Sequence, residues 1–589
     1  MEDAGGGVTR GAPACKVTSD PRVTTIDAMR ADAEAALVRS YLAEVPSGAR
    51  SWDEAIGPRG WVRAPYHGVL DVVSGLSNEE MTARADMLAN AYADQGVTFS
   101  LSGEDRPFPL DPVPRVIDAE EWFDVERGVR QRVRALEAFL EDLYLRGEVL
   151  SEGIIPRRLV MSSPHFHRAA YGIRPVRGVR IHVSGIDLIR DEQGRFRVLE
   201  DNVRTPSGVS YVIENRQAMT RVFPDLFGAL PIRSVDDYPA RLLAALQATA
   251  PAVDDPVVVV LTPGVFNSAY VEHTLLARAM GVELVEGRDL VVRDGVVFMR
   301  TTEGERRIDV IYRRIDDEFL DPVHFRSESL LGVPGILGAA RFGSVTIANG
   351  VGNGIADDKL LYSYVPDLIR YYLSEEPVLA NVDTYRLEEP DQQAYVLERL
   401  EEMVLKPTDA SGGKGIVIGP RADSATLASA AEQVRRNPRN WIAQPVVQLS
   451  TAPTFADGRL EPRHLDLRPF AVNDGERVWV LPGGLTRVAL RRGSLIVNSS
   501  QGGGSKDTWV LSGHLTETGT FTPVEVASTT EIPVVTDDML EGAPDETLDA
   551  LIVGPFEDPV PEQQQQQQQQ QHEKQTDASA PSRPGEPSC

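Results

Sequence analysis

From Arg180 to Leu511 the chain alternates short β-rich runs with helical segments, and this rhythm restricts the fold more than any other feature. Val257–Leu261 is a nearly continuous apolar run, the pattern of a strand covered on both faces. Asn267–Met280 carries helical spacing, and Val282–Val285 reads as the next strand. Val291–Phe298 reads as a hairpin with Asp294-Gly295 at its turn. Further strands are expected at Val310–Arg313, Val345–Ala348, Met403–Lys406, Gly415–Ile418 and Trp441–Gln444. Leu465–Val472, Arg477–Leu481 and Thr486–Arg491 suggest an antiparallel section. The class is α/β, mixed α+β, with α/β units in the middle of the chain.

Upstream, helical patterns cover Ile26–Val45, Glu79–Tyr92 and Glu120–Arg146. In the last of these, Trp122, Val125, Val129, Val133, Leu136, Leu140 and Leu143 form one apolar stripe, so its plain reading is scaffold. A chain of 589 residues exceeds a single folding unit. The expected organisation is a disordered leader (1–25), a helical N-terminal extension (26–106), a main unit (107–515) and a low-complexity tail (516–589). The tail carries the unbroken tract Gln563–Gln571.

The net charge of −27 repels phosphate backbones and argues against a broad nucleic-acid face. Ten of the acidic residues, however, lie between Glu531 and Glu562, a stretch without Lys or Arg. A local basic pocket elsewhere is therefore compatible with the total. No apolar run reaches the roughly 20 residues that span a bilayer, and no secretory signal is visible at the start. Cys15 and Cys589 lie outside any patterned segment, which argues against a disulfide framework or a cysteine metal site. A cytoplasmic location is expected.

Three segments carry candidate chemistry. Gly185–Ile189 and Phe196–Arg204 read as two strands joined by the Asp191–Gly194 turn, which lets Asp187 converge with Glu200 and Asn202. Glu200 and Asn202 are two apart and share one strand face. Such hard oxygen donors suit Mg²⁺ better than zinc. In Val404–Ile418, a strand ending at Lys406 runs into a glycine-rich turn with Ser411, Gly412, Gly413, Lys414 and Gly415. Backbone N–H groups and two ammonium groups there suit phosphate. Trp441–Val447 is an apolar strand entering a hinge, a place for adenine to lie. No G-x-x-x-x-G-K-[ST] loop and no G-x-S-x-G elbow occur. Gly350–Gly354 lacks the spacing of a dinucleotide fingerprint and reads as a substrate or helix-start loop completed by Asp357, Asp358 and Lys359. Pro164-His-Phe-His167 offers two imidazoles but no third ligand.

The strings Leu199–Gly208, Asn349–Lys359 and Asn498–Lys506 resemble the circularly permuted ATP-grasp family of bacteria, itself distantly similar to glutathionylspermidine synthetase. The resemblance spans Pro107–Leu511. Glu200 and Asn202 precede Lys406, the reversed order expected of a permuted member. The resemblance implies Asp187, Glu200 and Asn202 as Mg²⁺ ligands, Lys406 and the Ser411–Gly415 turn as phosphate contacts, and Gln444–Val447 as the adenine hinge. It further implies catalytic roles for Arg204, Arg487 and Lys506, with Asp466, Arg468 and Asn498 as further candidates. The implied activity is an ATP- and Mg²⁺-dependent ligation of a small-molecule or peptide carboxylate to an amine, with ADP and phosphate released. A small-molecule kinase and a non-catalytic nucleotide-binding scaffold are the alternatives. Loss of the metal ligands would mark the scaffold, and all three are present.

Overall fold

A nine-stranded sheet, antiparallel in all but one pairing, forms the centre of the protein. Its main path runs Val478–Val480, Phe470–Asn473, Val183–Arg190, Arg459–Arg468, Leu485–Val488, Gly504–Val510 and Leu110–Ile117. Phe196–Asn202 pairs onto Val183–Arg190, and Thr451–Ala456 onto Arg459–Arg468. The expected single run Leu465–Val472 is split at Pro469, which has no N–H for the ladder. Leu110–Ile117 contains Pro112 and Pro114 and accordingly occupies the sheet edge.

The computed structural model describes residues 36–45, 51–94, 96, 98–101, 104–107, 109–408, 415–495, 497, 503–515 and 521–523. The expected leader lies outside these residues. So does the expected tail, except that Phe521–Pro523 pairs with Gly513–Leu515. Among the described residues, no helix is long and apolar enough to cross a membrane.

Two smaller sheets flank the centre. The first is parallel, in the order Thr346–Ala348, Val310–Arg313, Val258–Leu261, Glu283–Val285. Its strands are short and apolar, and helices Tyr238–Ala248 and Tyr270–Met280 contact them. The adjoining hairpin pairs Leu290–Arg293 with Val296–Thr301. Asp294 (φ 51°) and Gly295 (φ 75°) turn it as expected. The second sheet is antiparallel, in the order Tyr385–Arg386, Trp441–Pro445, Met403–Pro407, Val417–Ile418. It has a core of its own, where Leu405 and Ala443 pack with Val396 and Val434.

Helix Ala119–Leu145 is capped by Asp118, whose carboxylate accepts from the Glu120 N–H. Its apolar stripe is buried as the spacing predicts. It also does more than pack. Gly128 lies against Leu379, and an added Cβ would come within 2.4 Å of the Leu379 Cγ. Buried Arg132 pairs with buried Asp201 through contacts of 2.5 and 2.7 Å. On the N-terminal side, helices Ala36–Glu44, His67–Ser74 and Asn78–Asp94 lie within the described part of the extension, and residues 26–35 of the expected Ile26–Val45 helix lie outside the described residues. Buried Glu54 staples this region to the central sheet. It pairs with Arg115 at 2.6 Å and Arg190 at 3.3 Å and accepts from the Ser450 hydroxyl. Burial alone would raise the Glu54 carboxyl, but the two guanidiniums hold it at about 2.

Removing Arg132 strands the buried Asp201 charge. Arg132→Ala should therefore cost about 3–5 kcal/mol in urea unfolding. The apolar double variant Arg132→Met/Asp201→Leu should lose much less, and equal losses would refute the charge argument.

Candidate active site

The site begins with a slip in strand pairing. Asp187 is opposite Glu200 and Gly185 is opposite Asn202, yet Leu188 is opposite Val198. Leu199 is thus an extra residue, a bulge. In an unbroken strand Glu200 would share the face of Val198, which is buried. The bulge turns Glu200 and Asn202 to the Asp187 face while Val198 stays in the core. The Val198 backbone is held by Ala380 O, by the Val382 N–H and by the Tyr362 hydroxyl. Asp201, on the other face, is the residue gripped by Arg132.

Four strands contribute to the resulting cluster. Asp187 accepts from Arg468 Nε, from Arg468 Nη2 at 2.9 Å and from Arg487 Nη2 at 2.7 Å. Arg487 also forks onto Asp466, with Nη2 at 2.5 Å and Nε at 2.9 Å. Burial would raise the Asp187 carboxyl, but the two arginines hold it down at about 2. Asn202 Nδ2 reaches Asp187 Oδ1 at 3.5 Å. Glu200 is the more open member, at 27% side-chain exposure, and Lys359 Nζ stands 3.3 Å from it.

Lys359 opens the short helix Lys359–Tyr362, which is capped by Asp358. Asp358 is fixed in turn by the Ser163 hydroxyl at 2.7 Å and by Arg439 at 2.6 Å. Gly350 leads through the short helical turn Asn353–Asp357 into this helix. Lys406, at the end of Met403–Pro407, faces the same charges. Burial pushes its ammonium down to about 8, against the opposing pull of Glu200, and Lys359 lowers it further.

Behind the cluster runs the segment from Val203 to Gly208. Asn349 donates to Val203 O at 2.8 Å and accepts from the His182 and Val183 N–H groups, so it ties this segment to Val183–Arg190. Asn353 also donates to Val203 O, at 3.1 Å. Arg204 lies 3.4 Å from Asp316 and 3.7 Å from Asp357. Burial raises the Asp357 carboxyl to about 7, although Arg204 and the Val203 N–H oppose this. Gly354 lets Arg204 and His165 approach, each within 3.3 Å of where its Cβ would be. His165 sits in a turn, and His167, which precedes the helical turn Arg168–Ala170, faces Asp317 at 3.6 Å.

The profile of the circularly permuted ATP-grasp type 2 family matches residues 114–489. The chain belongs to this family. An uncharacterized protein of Mycobacterium tuberculosis is 62% identical to it over 464 residues, covering 79% of this chain and 84% of the relative. An uncharacterized protein of Synechocystis is 50% identical over 467 residues, covering 78% and 97%. A Frankia casuarinae protein named putative glutamate--cysteine ligase 2-2 is 45% identical over 464 residues, covering 78% of this chain but 53% of the relative. The chain thus spans about half of that Frankia protein.

The residues anticipated for an ATP-grasp site fall into four groups. Asp187, Glu200, Asn202, Lys406, Asp466, Arg468 and Arg487 come together, and Arg204 borders them through Asp357. Gln444, Pro445, Val446 and Val447 lie where Trp441–Pro445 leaves the small sheet. Gln444 turns inward to Thr384 Oγ1 at 2.9 Å, and the Val446 N–H donates to Glu402 O. Gly415 ends the glycine-rich turn at φ 71°, whereas Ser411, Gly412, Gly413, Lys414 and Asn498 lie outside the described residues. The structure does not bring Lys506 into the cluster. It is opposite Thr486, the neighbour of Arg487, and so projects from the other face of the sheet. There its ammonium donates to Asp111, Val113 O and Pro453 O at 2.6–3.0 Å. Lys359 is the group whose position at Glu200 sequence reasoning missed. Its signal was Asp358 immediately before it, a helix cap.

Because Lys406 titrates at about 8 in the folded chain and at an ordinary 10.5 when exposed, the unfolded state binds more protons between those values. Its contribution to stability should therefore rise with pH across that window. Lys406→Met should remove this rise from the difference between the two pH–stability curves. Parallel curves would show that Lys406 is not desolvated.

Proposed function

We propose that the protein is an ATP- and Mg²⁺-dependent ligase that joins a small-molecule or peptide carboxylate to an amine through an acyl phosphate, releasing ADP and phosphate. The observation that carries this reading is the meeting of Glu200 and Asn202 with Lys359 and Lys406 on one side of the bulged hairpin. Family membership and the name of the Frankia relative support the reaction class.

The donors fit a hard divalent cation. Glu200 offers a partly exposed carboxylate, and Asn202 uses its amide N–H toward Asp187, which leaves its carbonyl oxygen as a donor. Asp187 stands beside them with its oxygens held by Arg468 and Arg487, so its first effect is to fix those guanidiniums and complete the negative side of the site. When bound, Mg²⁺ would offset the charge of the phosphate oxygens.

In this reading Lys359 and Lys406 hold the phosphates. Burial lowers the Lys406 ammonium, and a phosphate would favour its charged form. The substrate carboxylate attacks the γ-phosphorus, the bond to the bridging oxygen breaks, and ADP leaves with the electron pair. Arg204 borders the site and supplies positive charge to the acyl phosphate. The amine nitrogen then attacks the acyl carbon, the C–O bond breaks, phosphate departs, and the amine proton passes to solvent. Arg487 acts by orienting Asp187 and Asp466, and Lys506 by holding the sheet from its other face.

Glu200→Gln should lower ATP-dependent ADP release by on the order of 10²-fold or more while nucleotide binding persists. The assay is ADP release across paired carboxylates and amines, with mass spectrometry of the product. Unchanged turnover in Glu200→Gln, or AMP and pyrophosphate as products, would overturn the proposal.

A further inference from the structure

Helix Val209–Val222 follows the Val203–Gly208 segment and has no side-chain cap of its own. Gly208 sits at its N-cap position with φ 111°. The cap comes instead from a different unit. Glu272, fully buried on helix Tyr270–Met280, accepts from the Gly208 N–H through both oxygens, at 2.9 and 2.8 Å. A carboxylate at the positive end of a helix offsets the cost of its own burial. The neighbouring peptide groups are held as well. Arg314 donates to Pro206 O at 2.7 Å, and Arg468 Nη1 donates to Ser207 O at 3.1 Å. That same Arg468 grips Asp187 through its other nitrogens.

A short path therefore links the parallel sheet to the acidic site. It runs from Glu272 to the Gly208 amide, from the adjoining Ser207 carbonyl to Arg468, and from Arg468 to Asp187. We infer that Glu272 is a positioning residue for the metal–phosphate site. It fixes the Ser207–Gly208 peptide and so sets where Arg468 holds Asp187 beside Asn202. The inference rests on reading Glu200 and Asn202 as the metal donors. Its distinguishing consequence is a change in metal dependence, which a mere helix cap would not produce.

The experiment compares the full chain with Glu272→Gln, using a fluorescent ATP analogue titrated with Mg²⁺. Gln keeps the shape and one acceptor oxygen but loses the charge. The half-saturating Mg²⁺ concentration should rise about tenfold, equivalent to ~1.4 kcal/mol. Binding of the analogue without Mg²⁺ should stay within about twofold, since the lysines carry it. Loss of folded protein alone would shrink the amplitude and leave the Mg²⁺ midpoint unmoved, which overturns the inference. Should Glu272→Gln not fold, hydrogen exchange of the unmodified chain decides. Gly208 and Val209 amides should be as protected as Val310–Arg313, and free exchange there would overturn the inference. Mg²⁺-independent binding by the unmodified chain would instead count against the ligase reading, and the exchange measurement would still decide whether Glu272 holds Gly208.

Discussion

The carboxylate of Asp187, bracketed by Arg468 and Arg487, is the interaction on which the site depends. The three residues come from three neighbouring strands of the central sheet. Asp466 completes the group by taking the other side of Arg487. All lie on one face, as the pairing of Asp466 with Arg487 and of Leu467 with Leu188 requires. Charges buried this deeply tolerate their surroundings only when each has its counter-charge. The cluster therefore fixes strand register, because a slip by one residue would send every member to the opposite face.

That opposite face is also charged, and for a different purpose. Glu54, Arg115 and Arg190 form one buried network there, and Lys506 with Asp111 forms another pair. Arg115 donates to Asp466 O, so the two networks meet through the backbone of a single strand. The N-terminal extension enters this arrangement as a structural part of the sheet. Tyr41 donates to Asp53, Asp53 accepts from Thr451, and Glu54 binds arginines of two strands. A boundary near residue 107 is a convenience of composition, since the packing crosses it.

What could be read from the sequence follows from periodicity. Glu200 and Asn202 stood out because two polar donors two apart share a strand face, and Val258–Leu261 because an unbroken apolar run is a covered strand. The helix Ala119–Leu145 was legible from its stripe, but the role of Arg132 was not, since a charged residue in a helix usually faces water. Gly504–Val510 escaped notice because it is polar by composition, yet it is buried throughout. Its Lys506, Asp507 and Thr508 each bond to a residue distant in the sequence. The bulge at Leu199 was equally hidden, because it exists only in the pairing of two strands. Asp187 was found as an acid, but the arginines that hold it are called in from positions that no local pattern connects.

The overall charge of −27 and the proposed phosphate site are reconciled by the same accounting of partners. Arg468 and Arg487 are positive but committed to Asp187 and Asp466, so they contribute order more than net attraction. In the proposed reading the lysines meet the phosphates, and they arrive from two separate elements, a helix start for Lys359, which also pairs with Glu200, and a strand end for Lys406. An ammonium is a compact charge that a neighbouring anion can stabilise, whereas a guanidinium fork matched to a carboxylate is already satisfied. In the proposed reading, arginines that order the cluster and lysines that face the nucleotide thus divide the positive charge by chemistry. Burial lowers the proton affinity of Lys406 against the pull of Glu200, and in the proposed reading a bound phosphate would favour its charged form further.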